Sequence, residues 1–312
     1  KSQDRKEDRT ENPEGSQDQS GFLLFCYKIY YYQIMDLYLV DGTYELFRAH
    51  FGYPSRKSKD GLEVGATKGY INHLLALRKK YEYLCVSFDH TIESFRNKLF
   101  EGYKSSVGID KEILNQFKLA EEVTKLLGIK LLSMTKYEAD DGIASVCKIF
   151  SNQKNVNIVI GSLDKDLMQC IHGNKVIMYS TRYKSYIRES DVIEKYGIKP
   201  KQVPDFLAIV GDNADGYPGM NGMGEKTASQ LLNMYKNIDE IYLNREKWSK
   251  KIRAGERHAE TISNNFKLLK LYKDLSTLKT DVKVPDDLNS YKVKNINKKG
   301  LQIFSNKYSL NL

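Results

Sequence analysis

Three short apolar runs in this chain end at or just before an aspartate. They are residues 37–40 before Asp41, residues 83–88 before Asp89, and residues 156–161 before Asp164. Apolar runs of this length are typical of buried strands. In an open α/β sheet, the carboxyl ends of the strands line one crevice, where residues distant in sequence meet. We therefore predict that these acids converge at one edge of a parallel sheet.

Further acids follow the same pattern, in short clusters along a chain that is basic as a whole. The full set is Asp41, Asp89, Glu138, Asp140, Asp141, Asp164, Asp166, Asp212 and Asp215. Like charges that share a pocket raise one another's pKa unless cations neutralise them. Clusters of oxygen ligands suit hard divalent ions such as Mg²⁺ or Mn²⁺. The first hypothesis is a divalent-metal phosphodiester site.

The net charge indicates a class of partner, and the cysteine spacing argues against two kinds of structural site. The formal net charge of +9 over 312 residues favours a polyanion such as nucleic acid outside the acidic crevice. Charge alone is weak support, since the sequence is rich in lysine throughout. Four widely spaced cysteines form no CxxC pair, which argues against a zinc knuckle or a disulfide framework: Cys26, Cys85, Cys147 and Cys170.

The front of the chain differs in composition from the rest. Residues 1–20 are polar and charge-rich without periodicity, which is typical of disorder. Residues 22–35 are largely apolar, but Lys28 and Gln33 interrupt them, and no run reaches the roughly 18 residues needed to span a bilayer. We expect residues 1–36 to be a disordered or targeting-like extension. Targeting peptide and uninformative extension stay open as alternatives.

The remaining pattern predicts an α/β fold with a mostly parallel central sheet flanked by helices. The opening is strand, helix, helix, strand, with helical spacing over residues 44–51 and 67–81. Residues 113–127 form an amphipathic helix closed by Gly128, and a helix begins near Glu138. Residues 175–187 resemble a hairpin, and the pattern is helical from Lys201 onward.

A glycine-rich stretch interrupts this helical region. Residues 219–227 approach a nucleotide-binding P-loop, but Glu225 stands where lysine should follow Gly224, and no apolar strand precedes the stretch. A better account is a tight turn between two helices, with Gly222 and Gly224 in the turn. Glycine lets backbone amides approach a phosphate, and the following helix N-terminus attracts it. Phosphate-backbone binding is the prediction; a plain helical hairpin is the alternative.

Taken in order, seven short blocks resemble one family. They are LVDG (39–42), SFDH-x₄-FR (87–96), GYK (102–104), YEADD (137–141), DKDL (164–167), GD-x₂-D-x₂-PG (211–219) and G-x-GEKTA (222–228). Beyond the first 36 residues, the chain resembles the 5′-nuclease domain of bacterial-type DNA polymerase I and, more broadly, the flap endonuclease family. The order and spacing of the blocks cover nearly all of this part of the chain.

The resemblance implies two Mg²⁺ ions, for which Mn²⁺ can substitute. One ion would be surrounded by Asp41, Asp89, Glu138 and Asp140. The second would be held or oriented by Asp141, Asp164, Asp166, Asp212 and Asp215. Such a pair activates a water and stabilises the leaving oxygen of an in-line displacement, so no protein nucleophile is required.

The resemblance also implies substrate contacts. Arg96, Tyr103 and Lys104 would lie in an arch over a single strand, with Lys104 neutralising the scissile phosphate and Tyr103 stacking on an unpaired base. The glycine-rich stretch would be a helix-three-turn-helix motif that holds duplex DNA. Its DNA-binding residues would be Gly222, Gly224, Lys226 and Thr227. Carbonyl groups of Met220 and Met223 would offer a K⁺ site there.

Two blocks depart from the pattern of the family. Ala214 and Gly216 replace the serine and asparagine that are common in the GD block, which predicts weaker hydrogen bonding around Asp212 and Asp215. Val107 stands where an arginine commonly follows the arch lysine, and Lys111 is close enough in sequence to substitute.

The predicted organisation has three parts. Residues 1–36 form the extension, residues 37–196 the nuclease core with an arch at about 93–125, and residues 197–312 a helical DNA-binding region with its helix-three-turn-helix at about 205–233. We expect an intracellular monomer acting on DNA with 5′ flaps or 5′ ends, or on RNA-primed DNA, beside a partner polymerase and without a membrane. The extension suggests an organelle, either a plastid such as an apicoplast or a mitochondrion.

The predicted activity is a Mg²⁺-dependent 5′-3′ exonuclease and flap endonuclease of replication and repair. Two alternatives stay open. One is a catalytically silent DNA-binding scaffold, which the intact acidic set disfavours. The other is a metal-dependent ribonuclease of the related PIN-like fold, which the glycine-rich stretch and the long arch segment disfavour.

Overall fold

Apolar strands build the central sheet, and the strand Tyr83–Asp89 is buried along its whole length. The computed structural model describes residues 34–312. Within this range there are six strands: β1 (Met35–Asp41), β2 (Tyr83–Asp89), β3 (Lys130–Met134), β4 (Val156–Gly161), β5 (Val176–Ser180) and β6 (Ser185–Ile187). The order is β3-β2-β1-β4-β5-β6, and all neighbours are parallel except β5 and β6, which are antiparallel. The predicted mostly parallel sheet is confirmed.

The register brings the strand ends together beside β1. Val40 pairs with Val86 of β2 on one side and with Gly161 of β4 on the other. From β1, the next strands in the chain lie on one side (β2, β3) and the later ones on the other side (β4, β5). In an open α/β sheet, the crevice opens at such a change of side. The aspartates that follow β1, β2 and β4 therefore share one edge.

Helices cover both faces of the sheet. Those in the first half are α1 (Gly42–Gly52), α2 (Gly65–Lys80), α3 (Arg96–Leu99), α4 (Lys111–Leu126), α5 (Ala139–Phe150) and α6 (Glu189–Tyr196). The rest are α7 (Val203–Val210), α8 (Glu225–Met234), α9 (Ile238–Leu243), α10 (Arg245–Trp248), α11 (Gly255–Asn264), α12 (Phe266–Ser276) and α13 (Lys298–Tyr308). Short 3₁₀ turns occur at Asp166–Cys170, Pro200–Gln202 and Leu288–Tyr291.

Two hydrophobic cores lie on opposite faces of the sheet, as alternation along β1 requires. Leu37 and Leu39 belong to the core formed with α5, α7, α8 and α12, whereas Tyr38 and Val40 belong to the core formed with α1, α2, α4 and α13. Residues of the C-terminal helices thus belong to the same cores as the strands, and Met35–Leu312 form one compact unit. Within the described range, no helix is long and apolar enough to cross a membrane.

The region predicted as an arch, about 93–125, contains a connection followed by the long helix α4. Ile113, Phe117 and Val123 of α4 are buried in the second core, because the amphipathic helix turns its apolar face to α2 and the sheet. Residues 93–110 form the connection before α4 and contain only the short helix α3. The predicted extension, residues 1–36, lies almost wholly outside the described residues.

Candidate metal centre and nucleic-acid interface

The carboxylates that end β1 and β2 are fixed by backbone and hydroxyl donors. Asp41 caps α1 by accepting a hydrogen bond from the Tyr44 amide (2.9 Å), and its other oxygen accepts one from Ser162 Oγ (2.9 Å). Asp89 accepts a hydrogen bond from the Ala139 amide (2.6 Å). Both carboxylates are buried. The Asp89 contact joins the end of β2 to the first turn of α5.

The acids of α5 have different surroundings although they are adjacent in sequence. Glu138 precedes the helix and accepts hydrogen bonds from Ser94 Oγ (2.6 Å) and Tyr103 Oη (3.2 Å). Asp140 is buried, and the charges of Asp41 and Asp164 act on it. Asp140 therefore points toward the acids at the strand ends.

The remaining acids lie in two turns. The Asp164 amide donates to Ser162 Oγ (3.1 Å), and Asp164 itself accepts from the Asp166 amide (2.9 Å). Asp212 accepts from the Ala214 amide (2.8 Å). An alanine at position 214 therefore still provides the local hydrogen bond through its backbone.

The backbone conformation and close packing at position 216 explain why a glycine stands there. Its φ is +82°, and a Cβ at this position would lie 2.2 Å from the carbonyl oxygen of Gly102. The segment that carries Tyr103 and Lys104 therefore packs directly on the turn that carries Asp215. A larger side chain at position 216 would separate the two.

Electrostatic coupling shows that these carboxylates share one environment. The pKa of Asp41 is raised to about 7, first by burial and then by the charges of Asp164 and Asp89. Burial raises the pKa of Asp140 well above its usual value, and Asp164 and Asp41 raise it further. Asp41, Asp89, Asp140 and Asp164 thus lie close enough to repel one another.

A lysine opposes this repulsion on one side of the cluster. The pKa of Asp215 is raised to about 6 by burial, although Lys104 lowers it. Burial also acts to raise the pKa of Glu138, but the charges of Lys104 and Arg96 outweigh it and bring the pKa below its usual value. Glu138 is therefore ionised, whereas Asp41 carries a full charge only above neutral pH or beside a cation.

The donor chemistry fits a hard divalent cation, since all candidate ligands are carboxylates. Asp166 Oδ1 is buried without a hydrogen-bond partner, as an oxygen that lacks its cation would be. Across residues 34–312, however, no three acidic, histidine or cysteine side chains already form a set that could hold a metal ion. The candidate ligands lie near one another but do not form a complete coordination shell.

Two residues predicted for this site have another role. Asp141, predicted as a ligand of the second ion, accepts from Arg96 Nη1 and Nη2 (both 2.8 Å) and from the amides of Glu138 and Lys279. Arg96, predicted in the arch, is 1 % exposed and also donates to the Leu275 carbonyl. This buried pair joins α5 to the C-terminal helices, so neither side chain faces substrate.

Tyr103 was predicted to stack on an unpaired base, and the structure contradicts this role. The residue is 2 % exposed, and its hydroxyl contacts Glu138 Oε2 (3.2 Å) and Asp215 Oδ2 (3.0 Å). The prediction failed because the short connection after α3 turns this ring into the core. Lys104, the next residue, does reach the acidic cluster, with its ammonium 2.9 Å from Glu138 Oε2.

The glycine-rich stretch forms the predicted turn between two helices, α7 and α8. Gly219 and Gly222 adopt positive φ, and Gly224 precedes α8, which begins at Glu225. Gly222, Gly224 and Lys226 are exposed, and Thr227 is half-buried. The turn thus presents backbone amides and a lysine to solvent at a helix N-terminus, the arrangement that binds phosphate.

The proposed K⁺ ligands lie in the same turn. The side chains of Met220 and Met223 are buried, and the Met220 carbonyl accepts a hydrogen bond from the Met223 amide (3.0 Å). A carbonyl oxygen has a second lone pair, so this contact leaves room for a cation. The K⁺ site stays a prediction.

Sequence reasoning missed four polar side chains at the site. Ser94, Ser162 and Thr43 hold Glu138, Asp41 and the Asp89 amide, respectively. Arg257 of α11 lies beside Gly222. The position of Ser162 directly after β4 was a usable signal, but nothing in the sequence relates Arg257 to a turn 35 residues earlier.

Comparisons with known proteins agree with this geometry. The N-terminal resolvase-like domain of 5'-3' exonuclease matches residues 36–197, and its C-terminal SAM fold matches residues 198–299. A 5'-3' exonuclease of Aquifex aeolicus is 35 % identical over 83 % of this chain and 90 % of its own. DNA polymerase I of Rhizobium leguminosarum is also 35 % identical, over 81 % of this chain but 25 % of the polymerase.

Solved structures show the same fold at lower identity. A flap endonuclease of bacteriophage T5, in a complex with DNA and metal ions, has a TM-score of 0.65 at 20 % identity and covers 86 % of this chain and 99 % of its own. The catalytic core of Rad2 with a DNA substrate has a TM-score of 0.57 at 12 % identity, covering 88 % of each chain. The chain belongs to the 5'-3' exonuclease family, a family of nucleases.

The buried Arg96–Asp141 pair yields a stability prediction. Replacing Arg96 with Met leaves the fully buried Asp141 charge without its partner, which typically costs about 3–5 kcal/mol of unfolding free energy. Urea unfolding measures this loss. The matched control is Lys98→Met on the exposed face of the same helix, which should change stability little. Equal effects of the two substitutions would contradict the structural role.

The raised pKa of Asp41 yields a pH dependence. The protonated form is favoured in the folded state, so this contribution to stability is complete below about pH 4 and is lost as the pH rises through about 7. Asp41→Asn should therefore raise the unfolding free energy of metal-free protein at pH 8 by roughly 2 kcal/mol, and by much less at pH 4 to 5. The exposed Glu122→Gln is the control; a gain that does not depend on pH would refute the coupling.

Proposed function

We propose that this chain hydrolyses DNA phosphodiesters as a structure-specific 5′-3′ exonuclease and flap endonuclease, by a two-metal-ion mechanism. Its role would be primer or flap removal in replication and repair. The observation that carries the proposal is the convergence of carboxylates at the edge of the sheet where β1, β2 and β4 end. The raised pKa values of Asp41 and Asp140 agree with this convergence. A basic residue, Lys104, lies beside this acidic centre. The same compact unit also carries the exposed glycine turn before α8, which would bind phosphate.

The roles of the residues follow from their contacts. Asp41, Asp89, Asp140, Asp164 and Asp166 would hold two divalent cations, Mg²⁺ or Mn²⁺. Glu138, Asp212 and Asp215 would complete the set. Two such cations supply an activated water and stabilise the leaving oxygen.

The donors around these acids orient them in advance. Ser162 fixes Asp41 and the turn before Asp164, and the Ala139 amide fixes Asp89. Such outer contacts commonly contribute 10–100-fold to metal affinity or activity. Lys104 would neutralise charge on the scissile phosphate, because it is a flexible cation at the rim of the acidic cluster.

Duplex DNA would bind at the turn before α8. Exposed amides at Gly222 and Gly224 and the ammonium of Lys226 would contact phosphate oxygens, which position a duplex without reading its sequence. Arg257 lies beside Gly222 and would add a contact. The relative from T5 was crystallised with DNA and metal ions, which supports a substrate of this kind. The partners would be DNA with 5′ flaps or 5′ ends, RNA-primed DNA and a DNA polymerase.

The metal ligands are tested by substitution. Asp140→Asn and Asp164→Asn should each lower the rate of flap cleavage on the order of 100-fold or more, since even the loss of an outer contact costs 10–100-fold. A 5′-labelled flap, incubated with Mg²⁺ or with EDTA, measures the rate, and product lengths separate exonuclease from endonuclease cleavage. Glu122→Gln should cleave at the wild-type rate.

The same assay separates the alternatives. A silent scaffold would bind the flap and leave it intact at every Mg²⁺ or Mn²⁺ concentration. A PIN-like ribonuclease would cleave single-stranded RNA in preference to the DNA flap. Wild-type turnover by Asp140→Asn, with its folding verified by circular dichroism, would refute the assignment of the acidic centre.

The duplex contact is tested by its salt dependence. Lys226→Met should weaken binding to duplexes of any sequence and reduce the slope of log affinity against log salt by about 1, as expected for one lost phosphate contact. Fluorescence anisotropy between 50 and 200 mM salt measures this slope. Lys299→Met, an exposed lysine of α13, should leave the slope unchanged. A change of the same size in both variants would mean that only net charge matters.

A further inference from the structure

Two neighbouring side chains contact the same pair of acids from one side. Lys104 Nζ lies 2.9 Å from Glu138 Oε2 and 3.6 Å from Asp215 Oδ1. The Tyr103 hydroxyl lies 3.2 Å from Glu138 Oε2 and 3.0 Å from Asp215 Oδ2. Glu138 directly precedes α5, and Asp215 belongs to the turn after α7. The pair therefore bridges two acids that come from different parts of the chain.

The backbone beneath these side chains is held firmly. The Lys104 amide donates to the Asp215 carbonyl (3.1 Å), and Asn97 Nδ2 donates to the Lys104 carbonyl (2.7 Å). The contact between Gly102 and Gly216 allows no additional atom. Tyr103 is buried. The Lys104 side chain is 29 % exposed and has a flexible four-carbon stem, so its ammonium can change position while the backbone stays in place.

Lys104 is also the cation that acts on the rest of the cluster. Its charge lowers the pKa of Asp89, Asp140 and Asp166, in each case against burial, which raises it. Arg96, in contrast, is bound to Asp141 through two hydrogen bonds. The Lys104 ammonium thus offsets several buried carboxylates, at the place where divalent cations would bind.

We propose that the Lys104 ammonium is the internal counter-ion of the acidic centre and competes with divalent cations for Glu138 and Asp215. As divalent cations enter, Lys104 leaves these two acids. The released ammonium is then available to a phosphate. The inference rests on the proposed metal centre but needs no cleavage for its test.

Competition with cations and two simpler roles of Lys104 predict different effects of its removal on metal affinity. A lysine that served only the phosphate would leave cation binding to the DNA-free protein unchanged. A lysine that served only the fold would lower both stability and cation affinity when removed. A competing lysine, in contrast, makes cation binding tighter when it is removed, although cleavage becomes slower.

The experiment is a titration of metal-free, DNA-free protein with Mn²⁺, followed by the electron paramagnetic resonance signal of the free ion. Lys104→Met should bind Mn²⁺ roughly tenfold more tightly than the wild type, because a positive charge within about 4 Å of two ligands is lost. The control is Lys165→Met, which removes the same charge from an exposed lysine between Asp164 and Asp166. It should bind less than about threefold more tightly, since exposed charges are screened.

Lys104→Arg is the conservative variant and should keep an Mn²⁺ affinity near that of the wild type, because it keeps the charge. Equal affinities of Lys104→Met and Lys165→Met would overturn the inference. Flap cleavage by the wild type is scored separately. Its absence would refute the proposed function, and competition seen in the titration would still stand.

A measurement on the wild-type protein covers the case in which Lys104→Met fails to fold. Acetylation of lysines by a water-soluble active ester, mapped by mass spectrometry, reports whether each ammonium is engaged. Modification of Lys104 should increase severalfold when Mn²⁺ is added, whereas Lys165 should react equally in both conditions. A Lys104 reactivity that Mn²⁺ does not change would also overturn the inference.

Discussion

Repulsion among clustered carboxylates, most of them buried, is the constraint on which the rest of this structure depends. Asp41, Asp89, Asp140 and Asp164 act on one another's ionisation at one edge of the sheet. A fold that gathers such charges must offset them, since an unpaired buried charge is costly. Here the offset comes from hydroxyl and amide donors, from protonation of Asp41 near neutral pH, and from the ammonium of Lys104.

The sheet topology explains why the charges meet despite this cost. β1 lies between β2 and β4, and all three run in the same direction. Loops that leave such strands at the same edge cannot avoid one another, so the acids after them converge. The C-terminal helices then close the site from one side: the Asp141–Arg96 pair extends to the Leu275 carbonyl of α12, and the Asp215 turn packs on Gly102.

Much of this arrangement could be predicted from the sequence. Continuous apolar runs identified β1, β2 and β4, and the residues after them identified the acids that share the crevice. The turn before α8 was predicted from its glycines, which need positive φ or a close approach of the backbone. These features are local: strand pattern, turn chemistry and position after a strand are written in a few adjacent residues.

The predictions that failed all concern side-chain direction. Asp141 is the same type of residue as Asp140 and follows it directly in the sequence, but its side chain faces Arg96. Tyr103 and Arg96 were expected near the substrate because the family resemblance implied it, yet both are buried. A short connection between two packed elements has no period that would reveal which residues it turns inward.

The sequence by itself determined which elements form and which acids are candidates, because both depend on residues close together in the chain. Only the tertiary structure decided which of those acids are already bound to a basic partner, which hydroxyl groups hold the others, and that Lys104 contacts Glu138 and Asp215. These contacts join residues 34 to 121 positions apart. Their geometry depends on how the helices pack against the sheet, which no local pattern specifies.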